Sequence, residues 1–288
     1  NTTTNSRRNI AAHYDLGNEF FRLFLDENLM YSSAIFPKPE SSLEEASKHK
    51  IERICHMLAL GPDDHLLEIG TGWGGFALHA AQHYGCRVTT TTISQQQYEL
   101  ATQRIADAGL SKRIEVLRVD YRDLEGQYDK IVSIEMIEAV GHHYYDAYFG
   151  QCSRLLKPDG LMLLQAITIG DWFFEDHTRT VDFIKRYIFP GSCIPSVTAM
   201  AQSLSRKSDL RIVDLRDIGP HYARTLRIWR ERFFDHIETV RSQGFNEEFI
   251  RMWAFYLCYC EAGFAERYIG DAQILLAKPQ NRRHAEFA

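Results

Sequence analysis

The sequence predicts an α/β fold in which a mostly parallel sheet is flanked by helices. Two observations carry that expectation. A short apolar run at residues 65–69 stops at Gly70, Gly72, Gly74 and Gly75, and a helical pattern follows from Phe76 to His83. Strand, tight glycine turn and helix bring backbone close to a nucleotide-like ligand, as in doubly wound domains. Gly70 and Gly72 permit backbone angles and approach distances that any Cβ would block. In addition, apolar segments of strand length alternate with amphipathic helical ones as far as residue 169, the rhythm of strand–helix units.

Length and composition set the bounds. With 288 residues, 45% of them hydrophobic, the chain can bury one large domain or one domain plus a cap. A net charge of −5 argues against nucleic acid as a partner. Cys55, Cys86, Cys152, Cys193, Cys258 and Cys260 show no CxxC spacing, which fits reduced thiols in a cytosolic enzyme. No apolar run reaches the ~18–20 residues of a membrane span, and the segment before the fold does not read as a signal peptide. A soluble protein that can still dock on a bilayer surface is expected. Neither an internal repeat nor a low-complexity segment is found.

Taken in order, residues 1–9 are polar, with Arg7 and Arg8, and read as a frayed start. Leu16, Phe20, Phe21, Phe24 and Leu25 have helical spacing; this aromatic arm is either a packing arm or a lid. A helix over about 43–60 and a turn at 61–64 lead into the first strand. The second strand, 87–93, precedes a helix at 95–109 with Leu100, Ile105 and Ala108 on one side. The third, 114–123, contains Tyr121, which either stacks on a base or is a solvated loop residue. The fourth starts at Tyr128, and its exit loop carries Glu135 and Glu138 at the carboxyl end, where ligands sit in such sheets. A carboxylate there needs a partner, which makes Glu138 a functional candidate. Within the fifth strand, 161–169, Gln165 must find a hydrogen bond, as a site group or as a satisfied core amide.

From Gly170 to about Pro220 the alternation stops. Aromatic residues interleave with Arg179, Lys185 and Arg186. The stretch reads as a helical insertion forming the wall for an acyl chain with a phosphate head group, or as ordinary helix packing. A strand at 211–218, helices at about 225–243 and 247–268, and a last strand at 271–278 complete the chain.

A glycine turn alone suits NAD, FAD or S-adenosylmethionine. Dinucleotide sites place a carboxylate at the end of the second strand, about 20 residues on. Here that strand ends in Ser94 and three glutamines, and the acid is Glu68, inside the first strand. This arrangement resembles motif I of class I methyltransferases and favours S-adenosylmethionine.

His13, Tyr14 and Asp15, then Asn18 to Phe21, then Tyr31 and Ser32 resemble the opening of cyclopropane-fatty-acid synthases and mycolic acid cyclopropane synthases. Leu67 to Gly75, Thr92 to Gln97, Met136 to Gly141, His221 to Leu226 and Tyr256 to Phe264 extend the resemblance to about Lys278. It implies a class I methyltransferase (Rossmann-like) fold with a mostly parallel seven-stranded sheet, an N-terminal helical lid at 1–60, a core at 61–170 and 211–280, and a lipid-binding insertion at 171–210. It also implies methylene transfer from S-adenosylmethionine to the cis double bond of an unsaturated phospholipid acyl chain. Some relatives instead leave a methyl branch or methylate small amines. A cytoplasmic enzyme on the inner membrane face is the expected setting, and family members often dimerise. A binding module without turnover and a nicotinamide oxidoreductase are the competing classes.

The resemblance also assigns residues. Glu68, Gly70, Gly72, Trp73 and Gly74 would hold the amino-acid and ribose part of the cofactor. Thr92, Ile93, Ser94 and Gln97 would flank ribose and adenine, with Tyr121 and Arg122 on the adenine side. Tyr31 and Ser32 would close from the lid, and Glu135 is counted with the cofactor. A bound bicarbonate, the family's proposed base, would sit among Ser33, Glu138, Gln165, the backbone of Ile167 and Tyr222. Ser33 stands where many members have Cys, and Gln165 where many have His. A neutral Gln cannot become cationic as His can, so a methyl branch is the alternative fate of the cation. Cys260 aligns with a cysteine described as a nucleophile. Methyl transfer from a sulfonium needs no covalent protein intermediate, and packing is the other reading.

Overall fold

A computed structural model describes residues 16–282; the motif at His13, Tyr14 and Asp15 and the polar start lie outside the described residues. Seven strands form one sheet: β1 (His65–Ile69), β2 (Arg87–Thr91), β3 (Ile114–Leu117), β4 (Tyr128–Ile134), β5 (Leu156–Ile169), β6 (Arg211–Asp217) and β7 (Ile269–Ala277). Their order is β3-β2-β1-β4-β5-β7-β6. Only β7 runs against its neighbours, inserted between β5 and β6. The expected class I methyltransferase fold is therefore the observed one. The winding reverses between β1 and β4, which opens a crevice at their carboxyl ends. Leu66, Leu67 and Ile69 are fully buried, as a strand covered by helices on both faces requires.

Several boundaries differ from expectation for local reasons. β3 stops at Leu117 because Asp120 starts a 3-10 turn at Tyr121–Asp123, its side chain accepting from Arg122 N at 3.1 Å. β5 begins earlier, at Leu156, since residues 157–160 form an irregularity between the Tyr128 and Lys130 pairings rather than a turn before the strand. The helix expected at 225–243 starts at Gly219, with Pro220 in its first turn, and breaks at His236 before a second helix, Ile237–Ser242. Pro suits a first turn because its missing N–H has no partner there.

The non-alternating stretch holds a helix at Asp171–Arg179, a π-helical turn at Ile184–Ile188 and a helix at Val197–Lys207. The last buries Met200 and Leu204 in the sheet-side core with Phe149 and Cys152 of the helix Tyr145–Leu155. Its apolar face is thus satisfied by the sheet layer.

The aromatic arm is wedged between the glycine turn and two long helices, Gly219–Asp235 and Glu247–Ala265. Phe20 meets Trp253 edge-on at 5.0 Å, and Phe21 lies 4.9 Å from Trp73. Full burial of such side chains contributes roughly 1.5–3 kcal/mol each, so the arm is held by its own packing. Its return path is tight: a Cβ at Gly75 would lie 2.4 Å from the Asn28 carbonyl oxygen. Gly75→Ala should therefore displace the arm near Asn28 and lower stability by about 1–3 kcal/mol. Urea unfolding with limited proteolysis would check this; an unchanged midpoint and unchanged cleavage would refute it.

Candidate active site

A cavity of about 740 Å³ opens at the carboxyl ends of β1, β2 and β4, within the usual range for a ligand pocket. Its cofactor side is the glycine turn. Gly70 and Gly72 take φ of +104° and +52°, and a Cβ at Gly72 would enter open space. A ligand can therefore approach the backbone there. Glu68 sits at the base of the turn and accepts from Thr90 Oγ1 at 2.6 Å; burial pushes its pKa up to about 8. Thr92 donates to Gln97 at 2.8 Å, and both line the cavity with Ile93 and Trp73. Arg122 also lines it, held by Asp120 at 2.7 Å. This wall of glycine backbone, amide and acid fits the adenosyl and amino-acid parts of S-adenosylmethionine.

Two residues expected at the cofactor do not reach the cavity wall. Gly74, at φ +83°, packs so closely that a Cβ would lie 3.3 Å from Ala101 Cβ. Ser94 caps the helix Gln95–Asp107, accepting from Gln97 N at 3.3 Å. Gly74 thus shapes the glycine turn, and Ser94 caps the helix that follows β2. Tyr121 is buried, not a solvated loop residue; its ring meets Tyr148 at 5.4 Å and borders the cavity. Tyr31 and Ser32 line the cavity from the arm. The Tyr31 hydroxyl meets that of Tyr256 at 2.9 Å, and Ser32 Oγ accepts from Lys50 at 2.6 Å.

At the other end the expected bicarbonate site is different in kind. Glu135 Oε1 accepts from Ser33 N and from Gln165 Nε2, each at 2.8 Å, and Oε2 accepts from the Tyr222 hydroxyl at 2.6 Å. Ile167 N donates instead to Glu138 Oε1 at 2.5 Å. Each donor assigned to the anion is thus engaged by a carboxylate of the protein. Ser33 and Gln165 are fully buried and absent from the cavity wall, whereas Glu135, Glu138, Ile167 and Tyr222 line it. The residues present do not fit a separate bicarbonate. Glu135 itself, expected beside the cofactor, stands where the anion was expected.

Charges behind this wall are mostly neutralised. Burial and the nearby Glu135 push Glu138 up to about 8, and the same two causes hold Asp271 well above the carboxylate range. Gln165 donates to Asp271 at 3.0 Å and accepts from Gln273 at 3.1 Å, so it is both a satisfied core amide and a support of the site. Burial pushes the Cys260 thiol up to about 12. Cys260 borders the cavity, but no thiolate is available there at neutral pH. Lys50, Gln273 and Asp271 carry no motif. Lys50 alone left a trace: it falls on the buried stripe Leu43, Ala46, Ser47, Lys50, Ile51, Ile54, where an unpaired charge is costly.

Because folding raises the Glu138 pKa, the folded chain holds a proton that the unfolded chain loses above about 4.5. The resulting stabilisation is full below that pH and is lost as pH rises through about 8. Glu138→Gln should melt a few degrees above the parent at pH 9 and within a degree or so of it at pH 5. A melting difference independent of pH would contradict this.

Comparison with known proteins agrees with the geometry. A family model described as mycolic acid cyclopropane synthetase matches residues 1–274. Tuberculostearic acid methyltransferase UfaA1 of Mycobacterium tuberculosis is 44% identical over 95% of this chain and 65% of its own length. The cyclopropane-fatty-acyl-phospholipid synthase of Escherichia coli K12 is 39% identical over 92% of this chain and 66% of its own length. This chain thus spans about two thirds of those two relatives. The crystal structure of mycolic acid cyclopropane synthase CmaA1 with SAH and CTAB superposes with a TM-score of 0.89 at 32% identity, covering 94% of this chain and 98% of that one. The chain belongs to the mycolic acid cyclopropane synthetase family, and its sheet, crevice and glycine turn have the class I methyltransferase fold.

Proposed function

We propose that this chain transfers a one-carbon unit from S-adenosylmethionine to the cis double bond of an unsaturated acyl chain and closes it to a cyclopropane. The observation that carries this reading is one cavity that joins the glycine turn to the half-buried Glu135 and the buried Glu138 through apolar walls such as Ile184, Phe189, Leu226 and Phe264. When bound, the cofactor supplies an electrophilic methyl group. The alkene offers only a π pair, so catalysis rests on alignment and on keeping water from the cation that forms. The apolar walls exclude water, and a carboxylate removes the proton whose C–H pair closes the ring. Positive charge in the cavity favours the ionised form of Glu138, so a group neutral at rest answers the charge as it develops. Gly70, Gly72, Trp73, Thr92, Ile93, Gln97 and Arg122 are read as the cofactor wall, and Tyr31 and Ser32 as its closure.

A second reading, a methyl-branched lipid, draws support from the 44% identity to an enzyme named for tuberculostearic acid. Mass spectrometry of fatty acids from a host expressing the chain tests both readings. A gain of one CH2 on monounsaturated chains is expected, and gas chromatography of the esters separates ring from branch. Unchanged lipids from a host whose purified protein binds S-adenosylmethionine would refute both.

The acyl chain has to leave a bilayer, and the cavity mouth suits that source. Trp172 is 82% and Val181 74% exposed, beside the mouth residues Phe173 and Thr180. The basic residues expected to read a phosphate are otherwise engaged. Arg179 pairs with Glu175, Lys185 donates to the carbonyls of His177 and Thr180, and Arg186 lies over Tyr187 at 5.4 Å. Among the described residues no helix is long and apolar enough to cross a membrane. An apolar rim that dips into the interface is the proposed mode. Trp172→Ala with Val181→Asp should weaken binding to dioleoyl phosphatidylglycerol vesicles roughly five- to thirtyfold, the effect of losing 1–2 kcal/mol. Equal sedimentation with vesicles would exclude the rim.

A further inference from the structure

Resting on the acyl-methylation reading above, we infer that Glu135 is a built-in base: its own carboxylate occupies the anion position, so the reaction needs no bicarbonate. The donors from Ser33, Gln165 and Tyr222 come from three separate segments and converge on its two oxygens. Two accepting oxygens are the pattern of an ionised carboxylate. Ser33 and Gln165 lie behind Glu135, out of the cavity wall, while Glu135 borders the cavity. An exogenous anion could not reach those two donors without displacing it.

The backbone supports the same assignment. Glu135 has φ +48°, a left-handed conformation that glycine adopts freely and glutamate does not. Such strain persists where the surroundings over-determine it. Here Glu135 N is fixed to the Gln165 carbonyl at 2.8 Å, and the side chain is fixed by its three donors.

Gln165 is in turn oriented by a polar chain. Arg53 Nε donates to Gln273 Oε1 at 2.9 Å, and Gln273 Nε2 donates to Gln165 Oε1 at 3.1 Å. That leaves both amide hydrogens of Gln165 pointing at acids, one at Glu135 and one at Asp271. A neutral amide suffices because a covalently attached base does not have to be recruited from water. Lys50 is buried behind Ser32; burial lowers its pKa, and the nearby Glu135 works against that shift.

The step balances as follows. The alkene π pair bonds to the transferred methyl carbon while the C–S pair leaves with sulfur. One proton of the new methyl group then passes to Glu135 Oε2, which takes a single donor, and the freed C–H pair bonds to the cationic carbon. The proton leaves Glu135 for solvent once product has gone.

Three measurements on the full chain test this. Wild type in carbonate-free buffer should form product at its ordinary rate. Glu135→Gly, which also relieves the backbone, should lose about 100-fold or more and recover with added bicarbonate or formate. Glu135→Gln should lose as much and not recover, since its amide still fills the position. Carbon-13 bicarbonate, followed by NMR, should bind Glu135→Gly and not wild type; far-UV circular dichroism and a cooperative melting transition report that both variants fold. A wild type that modifies acyl chains only with bicarbonate, or a Glu135→Gln that keeps its rate, overturns the inference and leaves the proposed function standing. If wild type modifies no acyl chain, the proposed function falls, and the NMR arm still decides whether Glu135 excludes the anion.

Discussion

The carboxylate of Glu135 is the point on which the rest of the structure depends. It stands directly after β4, where the sheet's winding opens the crevice, and is held from the arm by Ser33, from β5 by Gln165 and from the helix Gly219–Asp235 by Tyr222. No two of these segments are neighbours in sequence. Even a half-buried carboxylate is costly when it lacks donors. Sheet, arm and helical cap therefore share one requirement, which each satisfies with one hydrogen bond. Its left-handed backbone adds about 1–3 kcal/mol of strain, retained because these contacts together fix it.

The surrounding acids show how so much carboxylate can be buried at once. Glu68 and Glu138 are pushed up to about 8, so at neutral pH they keep their protons and add little negative charge beside Glu135, and burial with the nearby Glu135 holds Asp271 well above the carboxylate range. Burial lowers the pKa of the fully buried Lys50, and Glu135 is the largest influence that opposes this. Neighbouring carboxyl groups with separated protonation states are how one site holds an acid and a base together. Desolvation rather than any single partner produces the separation, so the apolar walls of the cavity also set the protonation of the acids around it.

Most of the fold was legible in the sequence because its signals are local. Strand-length apolar runs, the glycine turn and the acid inside β1 are each written within about ten residues. Boundaries failed where a side chain outranked periodicity, as when Asp120 ended β3 or Pro220 started a helix early. The candidate site was legible as a set of residues but not as an arrangement. Ser33, Gln165 and Tyr222 do come together, around Glu135 rather than around an added anion. That relation joins positions far apart in the chain, and Glu135 read as one of the cofactor residues at a strand's carboxyl end. Its left-handed backbone would have been the clue, but dihedral angles are not written in residue types. Lys50, in the middle of an apolar stripe, was the readable sign of a buried polar centre.

The arm shows why packing and chemistry are not separable here. Phe20, Phe21 and Phe24 anchor it among Trp73, Trp229 and Trp253, and a few residues later the same strand of chain delivers Tyr31 and Ser32 to the cavity and Ser33 N to Glu135. The Tyr31 hydroxyl stands 2.9 Å from that of Tyr256, which also lines the cavity, so the arm joins the cavity wall as well as the core. A lid hinged freely at its base would leave Glu135 without one of its donors whenever it opened, exposing a charge that water would have to solvate. The aromatic wedge makes that opening expensive. The arm is therefore a packed wall that completes the surroundings of Glu135 rather than a flap.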